Sequence, residues 1–511
     1  RRVITRRSFV RLAALAAAWP QAAWSQAARK AAKPAPGTIL VNDVHSQLNS
    51  TRVFRIATPT SVDAVSGLLA SARRERRPVC IAGGRHAMGG QQFCADAVML
   101  DIRKMNRVLA FDGERGLLEV EAGIQWPEIL AYLQTQSGAT STTDKPDATG
   151  KAWAFAQKQT GVDRVTIGGS LSANIHGRGL AMPPFVNDVE SFRLITGRGQ
   201  LLNCSREENS ELFRLAIGGY GLFGFIYSAT LRLVPRRKVE RVVEVREVGG
   251  LAEAFAARVG EGFTYGDFQY AIDDKSDDFL KRGVFSCYRP VDDARPMPSL
   301  QHELSEGEWT ELLFLAHTNK SEAFKRYASY YMSTNGQLYW SDEGQMSSYP
   351  EDYHRAIDRM TDAPNKATEA ICEIYVEREA LERFMNEVRE YARINAWNII
   401  YGTVRLIEQD RESFLAWARK PYACVVFNLH IEHSTGGVIR GADALRRLID
   451  LGLRHGGSYY PTYHRYALRR QVDACYPQMP EFLKLKRKYD HEELFQSEWY
   501  RHYKRMYLGD K

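Results

Sequence analysis

The sequence predicts an α+β fold in two regions, and three observations carry that prediction. Between residues 45 and 235, short apolar strands alternate with amphipathic helices. Two glycine-rich islands interrupt the alternation, at 82–91 and 166–177. From 236 to 455 the pattern turns to long amphipathic helices and β-rich runs with one apolar and one polar face, as in antiparallel sheets. A chain of 511 residues has room for two full cores.

The elements follow in order. Thr5-Arg6-Arg7-Ser8-Phe9-Val10-Arg11-Leu12 has the form of a twin-arginine export signal, with a modestly apolar stretch over 12–19 and small residues near Ser25-Gln26-Ala27. Residues 1–27 are therefore expected to be a signal peptide, too short in its apolar part for stable membrane insertion, on a protein exported folded to the periplasm. Residues 28–44, rich in Ala, Lys and Pro at the start, read as a linker. Structure is expected from 53–56, then a helix capped by Thr60 or Ser61 with Val62, Val65, Leu68, Leu69 and Ala72 on one face. The strand at 78–81 leads into the first island, Ala82-Gly83-Gly84-Arg85-His86-Ala87-Met88-Gly89-Gly90-Gln91. Strands at 97–102, 108–111 and 117–121, the last two turned at Asp112-Gly113, precede a short helix at 126–136. The weakly patterned segment 137–165 is long enough to suggest a ligand-lining role. It runs into the second island, Thr166-Ile167-Gly168-Gly169-Ser170-Leu171-Ser172-Ala173-Asn174-Ile175-His176-Gly177. A hairpin around 197–199, a helix at 209–217 and a strand at 225–234 close the region at Pro235.

In each island the glycines let backbone N–H groups approach a ligand that a Cβ would obstruct. Gly219-Tyr220-Gly221-Leu222-Phe223-Gly224 also spells the dinucleotide fingerprint, but with a helix before it and a strand after it. That order is the reverse of what a pyrophosphate on a helix N-terminus needs, so an NAD site is excluded. The net charge of +8 is held by eight basic residues within 1–36, leaving a neutral body and no basic face for nucleic acid. Seven scattered cysteines without a Cys-x-x-Cys pair predict buried thiols rather than a disulfide framework. His430 and His433 lack a second ligand pair at zinc-site spacing, so no metal is expected.

Beyond 236, strands are expected at 371–376, 398–407 and 423–431. Glu373 and Tyr375 oppose Cys372, Ile374 and Val376, and Asn428, His430 and Glu432 oppose Val425, Phe427, Leu429 and Ile431. Such a polar face either floors an active site or meets solvent.

The two islands, with Glu211-Leu212-Phe213, the 218–226 run and the tail Gly457-Ser458-Tyr459-Tyr460-Pro461-Thr462-Tyr463, resemble the vanillyl-alcohol oxidase superfamily. Tyr476-Pro477, Phe482, Lys488-Tyr489-Asp490 and Leu494-Phe495 extend the likeness, nearest to sugar-lactone oxidases and decaprenylphosphoryl-ribose oxidase. The match covers most of 45–235 and 455–505 and is loose between them. The resemblance implies a two-part FAD-binding PCMH-type domain, 45–235 completed by a C-terminal segment at 456–511. Between the parts lies an inserted α+β cap domain, 236–455, containing an antiparallel sheet. It implies FAD contacts at Ala82, Gly83, Gly84, Arg85, His86, Ala87, Gly89, Gly90, Gln91, Gly161, Thr166, Gly168, Gly169, Ser172, Asn174, His176, Ile226 and Tyr460. In relatives reading Gly-Arg-Gly-His-Ser at the first island, the histidine is bonded to the flavin. The matching residue is His86, with Arg85 and Ala87 departing from the pattern, so FAD is expected to be attached through His86. The alternative is a histidine beside noncovalent FAD.

The implied activity is an FAD-dependent oxidase or dehydrogenase acting on a CH–OH group of a sugar, polyol or aldonolactone. Tyr463 stands where the ribose oxidase has lysine, so the base is sought among Tyr463, the adjacent His464 and His176; a phenol would need its pKa lowered by a cation. Glu373, Arg405 and His430 are the candidate substrate contacts. The small-molecule substrate would pass electrons to O2 or to a periplasmic or membrane redox carrier. Alternatives are amine or cytokinin-type oxidation, a lipid-linked sugar as substrate, or a flavin-loaded binding protein without turnover.

Overall fold

The computed structural model describes residues 37–136, 152–347 and 353–509. The export signal, the linker up to 36 and residues 137–151 of the long segment lie outside them. The expected α+β architecture is present, built on three principal sheets.

The first is parallel, with Val98–Asp101 between Arg55–Ala57 and Val79–Ala82. The helix Val62–Arg74 links its first strands; the Ser61 side chain accepts from Ala64 N at 3.1 Å, and Val65, Leu69 and Ala72 are buried. The strand expected at 53–56 is broken at Phe54 into Thr51–Val53 and Arg55–Ala57. There Phe54 N leaves the Thr51–Val53 ladder to donate to Ala97 O at 2.9 Å, and the ring lies 3.5 Å beneath the Arg77 guanidinium. The chain's tail adds to the free edge of this sheet: Val79 N donates to Leu494 O at 2.7 Å and Gln496 N to Val79 O at 2.8 Å.

The second sheet is antiparallel, in the order Leu201–Ser205, Val189–Ile195, Phe225–Pro235, Leu117–Glu121, Val108–Asp112. The helix Ser210–Ala216 precedes the 219–224 glycines and the strand Phe225–Pro235 follows them, the inverted order read from the sequence.

The third sheet has eight antiparallel strands: Leu338–Trp340, Lys238–Glu247, Arg282–Pro290, Tyr265–Tyr270, Ile399–Ile407, Tyr422–Glu432, Ala367–Val376 and Ser458–Tyr459. The helix Thr435–Arg454 packs on one face, and Leu381–Ile394 packs beside it. Small residues bring the first of these close: a Cβ on Gly441 would stand 2.4 Å from Ile431 Cδ1, and one on Gly452 2.5 Å from Ile374 Cγ2. On the polar face Glu369, Glu373 and Tyr375 are buried, while Asn428, His430 and Glu432 are half-buried. All seven cysteines are buried and free.

Candidate functional site

Both islands and the polar face of the third sheet border one cavity of about 650 Å³. The first island contributes Gly83, Gly84, Arg85, His86, Ala87, Met88 and Gln91, and the second Thr166, Gly168, Gly169, Ser172, Ala173 and Ile175. Gly161, Val162, Ile226, Tyr460, Thr462 and Tyr463 add to these walls. Asp267, Gln269, Arg405, Val426, Asn428, Ile371 and Glu369 form the floor.

The islands meet because they lack side chains where they touch. A Cβ on Gly83 would fall 2.1 Å from Thr166 Oγ1. That hydroxyl accepts from Gly169 N at 3.2 Å and caps the short helix Ile167–Ala173. Along the first island, carbonyls are held by protein donors: Val44 N reaches Arg85 O at 3.1 Å, Gln92 Nε2 reaches Ala87 O at 2.7 Å, and Asn49 Nδ2 reaches Met88 O at 2.7 Å. The loop is pinned through its amides as well, Met88 N donating to Thr462 O at 3.2 Å and Gly89 N to Gln91 Oε1 at 2.9 Å. With Arg85 at the same loop and an apolar slot of Ile81, Ile102, Val162, Val165 and Ile226, the lining fits a dinucleotide with a flat aromatic end.

His86 faces His45, with Nδ1 2.9 Å from His45 Nε2. Burial, followed by the neighbouring His45, pushes the His86 imidazole down to about 3, so the ring is neutral at ordinary pH. Its Nε2 has no hydrogen-bond partner among the described residues. On the floor Arg405 is 4 % exposed, and its Nε is likewise unpartnered.

Several expected residues stand off the cavity. Ala82 ends its strand, and Gly89 and Gly90 turn behind the loop. Asn174 is a left-handed helix cap whose side chain donates to Asp410 Oδ2 at 2.9 Å and accepts from Val186 N at 2.9 Å. His176 lies behind the wall, its Nδ1 3.1 Å from Gly177 O and its Nε2 on Glu373 Oε1. Glu373 also accepts from Tyr375 Oη at 3.0 Å and Cys424 Sγ at 2.9 Å, and its Oε2 has no partner among the described residues. Burial would raise this carboxyl, but the charge and hydrogen bond of His176 outweigh it and hold it at about 2. His430 meets Glu369 at 3.2 Å. His464 points away from the cavity, 3.6 Å from Cys372 Sγ and stacked with Tyr459 and Tyr466, and burial pushes it down to about 3.

Tyr463 does line the cavity, with Gln159 Nε2 3.5 Å from its hydroxyl. Its environment is opposite to the one a phenolic base needs. Burial and then the Glu373 carboxylate push the phenol well above its ordinary value. The sequence reading missed His45, Asp267, Glu369 and its partners other than His430, and within the 137–165 segment it expected to line a ligand it named Gly161 but not Gln159. No local motif marks them, because each reaches the cavity through tertiary packing.

Residues 55–205 match the family model of the FAD binding domain. The chain is 32% identical over 178 residues to L-gulonolactone oxidase of Bos taurus, a stretch that is 35% of this chain and 37% of that protein. It is 27% identical over 218 residues to the mitochondrial L-galactono-1,4-lactone dehydrogenase 2 of Oryza sativa subsp. japonica, covering 42% of this chain and 34% of that protein. Cytokinin dehydrogenase 9 of the same plant is 29% identical over 170 residues, 33% of this chain and 30% of that one. The matched part spans between 30% and 37% of these relatives' length.

Proposed function

With residues 55–205 an FAD-binding domain of the PCMH type, we propose that the protein is an FAD-dependent oxidoreductase. It oxidises a CH–OH group of a sugar, polyol or aldonolactone-like substrate. The observation that carries this reading is the cavity shared by both glycine islands and the polar sheet face. The lactone-oxidising relatives support the substrate class. On this reading 45–235 and 456–511 make the flavin domain and 236–455 the cap.

FAD, when bound, supplies a two-electron acceptor for the hydride leaving the substrate carbon. Gly83, Gly84, Arg85, Ala87, Gln91, Gly161, Thr166, Gly168, Gly169, Ser172, Ile226 and Tyr460 would hold it, and His86, neutral and nucleophilic, would attach to it. Arg405 binds the substrate oxygen and stabilises the negative charge that grows there as its proton leaves. Tyr463 accepts that proton on its hydroxyl oxygen as its own passes to Glu373, so the phenol stays protonated. Glu373 Oε2 is the open acceptor behind Tyr463, with His176 fixing the other carboxylate oxygen. Residues 1–27 would send the protein to the periplasm, where O2 or a redox carrier takes the electrons.

A second reading rests on the helices Glu306–Thr318 and Lys320–Ser333, which face the cavity with Leu312, Leu313, Phe324 and Tyr327. That apolar wall suits a substrate with a greasy or aromatic part, such as a cytokinin-type amine or a lipid-linked sugar.

The test is an absorbance spectrum before and after acid precipitation, followed by anaerobic addition of sugars, lactones and amines. Flavin colour that stays in the pellet, is released in His86→Ala and bleaches with a lactone or sugar is the expected result. Folded protein without flavin would overturn the reading, and bleaching by amines alone would favour the second one.

A further inference from the structure

Glu369 gathers more side chains than any carboxylate in the cavity wall. His317 Nε2 lies 3.1 Å and His430 Nδ1 3.2 Å from its Oε1. Tyr353 Oη at 2.6 Å and His354 Nδ1 at 2.8 Å meet its Oε2. The residues come from four elements: the helix Glu306–Thr318, the strands Ala367–Val376 and Tyr422–Glu432, and the start of the helix His354–Met360. Glu369 and His430 are direct cross-strand partners.

The tautomer of His317 is the informative detail. Its Nδ1 is 2.8 Å from Leu313 O, a carbonyl that only accepts, so Nδ1 carries the proton. Nε2 is thereby turned to Glu369 Oε1. A second ring nitrogen, from His430, converges on the same oxygen. Two imidazoles and a carboxylate oxygen around one point is a cation's donor set, and the three atoms lie within 4.8 Å of one another. Ligands at about 2.0–2.1 Å from a zinc-sized ion stand about 3.0–3.4 Å apart, which is the spacing of both nitrogens from Oε1. The outer contacts suit it as well: a backbone carbonyl orients one ligating histidine, and a phenol and a third histidine hold the carboxylate's other oxygen.

We propose that His317, Glu369 and His430 form a binding site for a divalent transition-metal ion of the zinc class. Three protein ligands leave a coordination position for a small oxygen ligand. Of the three ligands Glu369 lines the cavity of the glycine islands, while His317 and His430 reach its Oε1 from outside that lining. The other cluster of this kind among the described residues, His176, Glu373 and Cys424, is different. There one histidine meets the carboxylate in a single pairing, all three residues are fully enclosed, and none of them lines the cavity. Sequence spacing misses the site because His317 and His430 stand 52 and 61 residues from Glu369.

Full-length, flavin-loaded protein stripped with EDTA and titrated calorimetrically with ZnCl2 should take up a single Zn2+ per chain. His317→Ala and Glu369→Gln should weaken that uptake by about 100-fold or more. His430→Gln, at a partly exposed ring, removes a ligand with least risk to folding and should do the same. Cys424→Ser should leave it unchanged. No uptake by the wild-type protein, or uptake that survives His430→Gln and is lost in Cys424→Ser, overturns the proposal. The flavin spectrum of the same samples reports folding and cofactor separately, so failure of the metal site leaves the FAD reading standing.

Discussion

His464 shows how one buried side chain ties stability to pH. An unfolded histidine titrates near about 6.5, whereas this ring is held at about 3 by burial. Between those values the unfolded chain binds the extra proton, so stability rises with pH through the window, is complete above about 6.5 and is lost as pH falls toward 3. The slope from this one group is at most about 1.4 kcal/mol per pH unit. His464→Phe, which keeps the ring stacked beside Tyr459 and Tyr466, should therefore flatten the fall in urea midpoint between about pH 7.5 and about pH 4.5. An unchanged slope would place the acid sensitivity in other rings, such as His86 or His502, both also at about 3. Tyr463 and His464 are neighbours in sequence yet face opposite ways. Only the registered path of that segment past the third sheet decides which of them meets the cavity.

At the scale of elements, what could be read in advance was what depends on neighbouring residues. The Ser61 cap, the 112–113 turn, the inverted order around Gly219 and three strands of the third sheet follow from local pattern, whereas Lys238–Glu247, Tyr265–Tyr270, Arg282–Pro290 and Leu338–Trp340 were not read from it. The lining by Asp267 and Glu369 does not, because it depends on how eight strands are ordered and which face the helix Thr435–Arg454 covers. Two glycines separate the local rule from the tertiary one. Gly67 lies within the helix Val62–Arg74 with nothing within 4 Å of a built Cβ, so Gly67→Ala should stabilise by up to about 1 kcal/mol. Gly83→Ala would drive a methyl into Thr166 and loosen the cap of Ile167–Ala173, costing about 1–3 kcal/mol and flavin retention. Urea midpoints and the flavin-to-protein absorbance ratio measure both. Equal effects at the two sites would refute the close approach of the islands.

For the whole molecule, the first sheet is finished by the last residues. Val79 pairs with the segment around Phe495, Ala95 N donates to Glu498 Oε1 at 2.9 Å, and Asp490 accepts from Leu494 N and Phe495 N at 3.0 and 2.8 Å. Removing residues 491–511 should therefore abolish FAD retention although every glycine of the islands is present, as read by flavin absorbance of the purified truncation. Full loading would refute this dependence. The Ala95–Glu498 contact spans 403 residues. A ribosome adding about 5–20 residues each second needs about 20–80 s to cover that distance. For that time the nascent first sheet waits with an open edge, a target for chaperones and for mispairing. A stalled or prematurely ended chain is left with its cradle unfinished, so only complete translation products can become yellow.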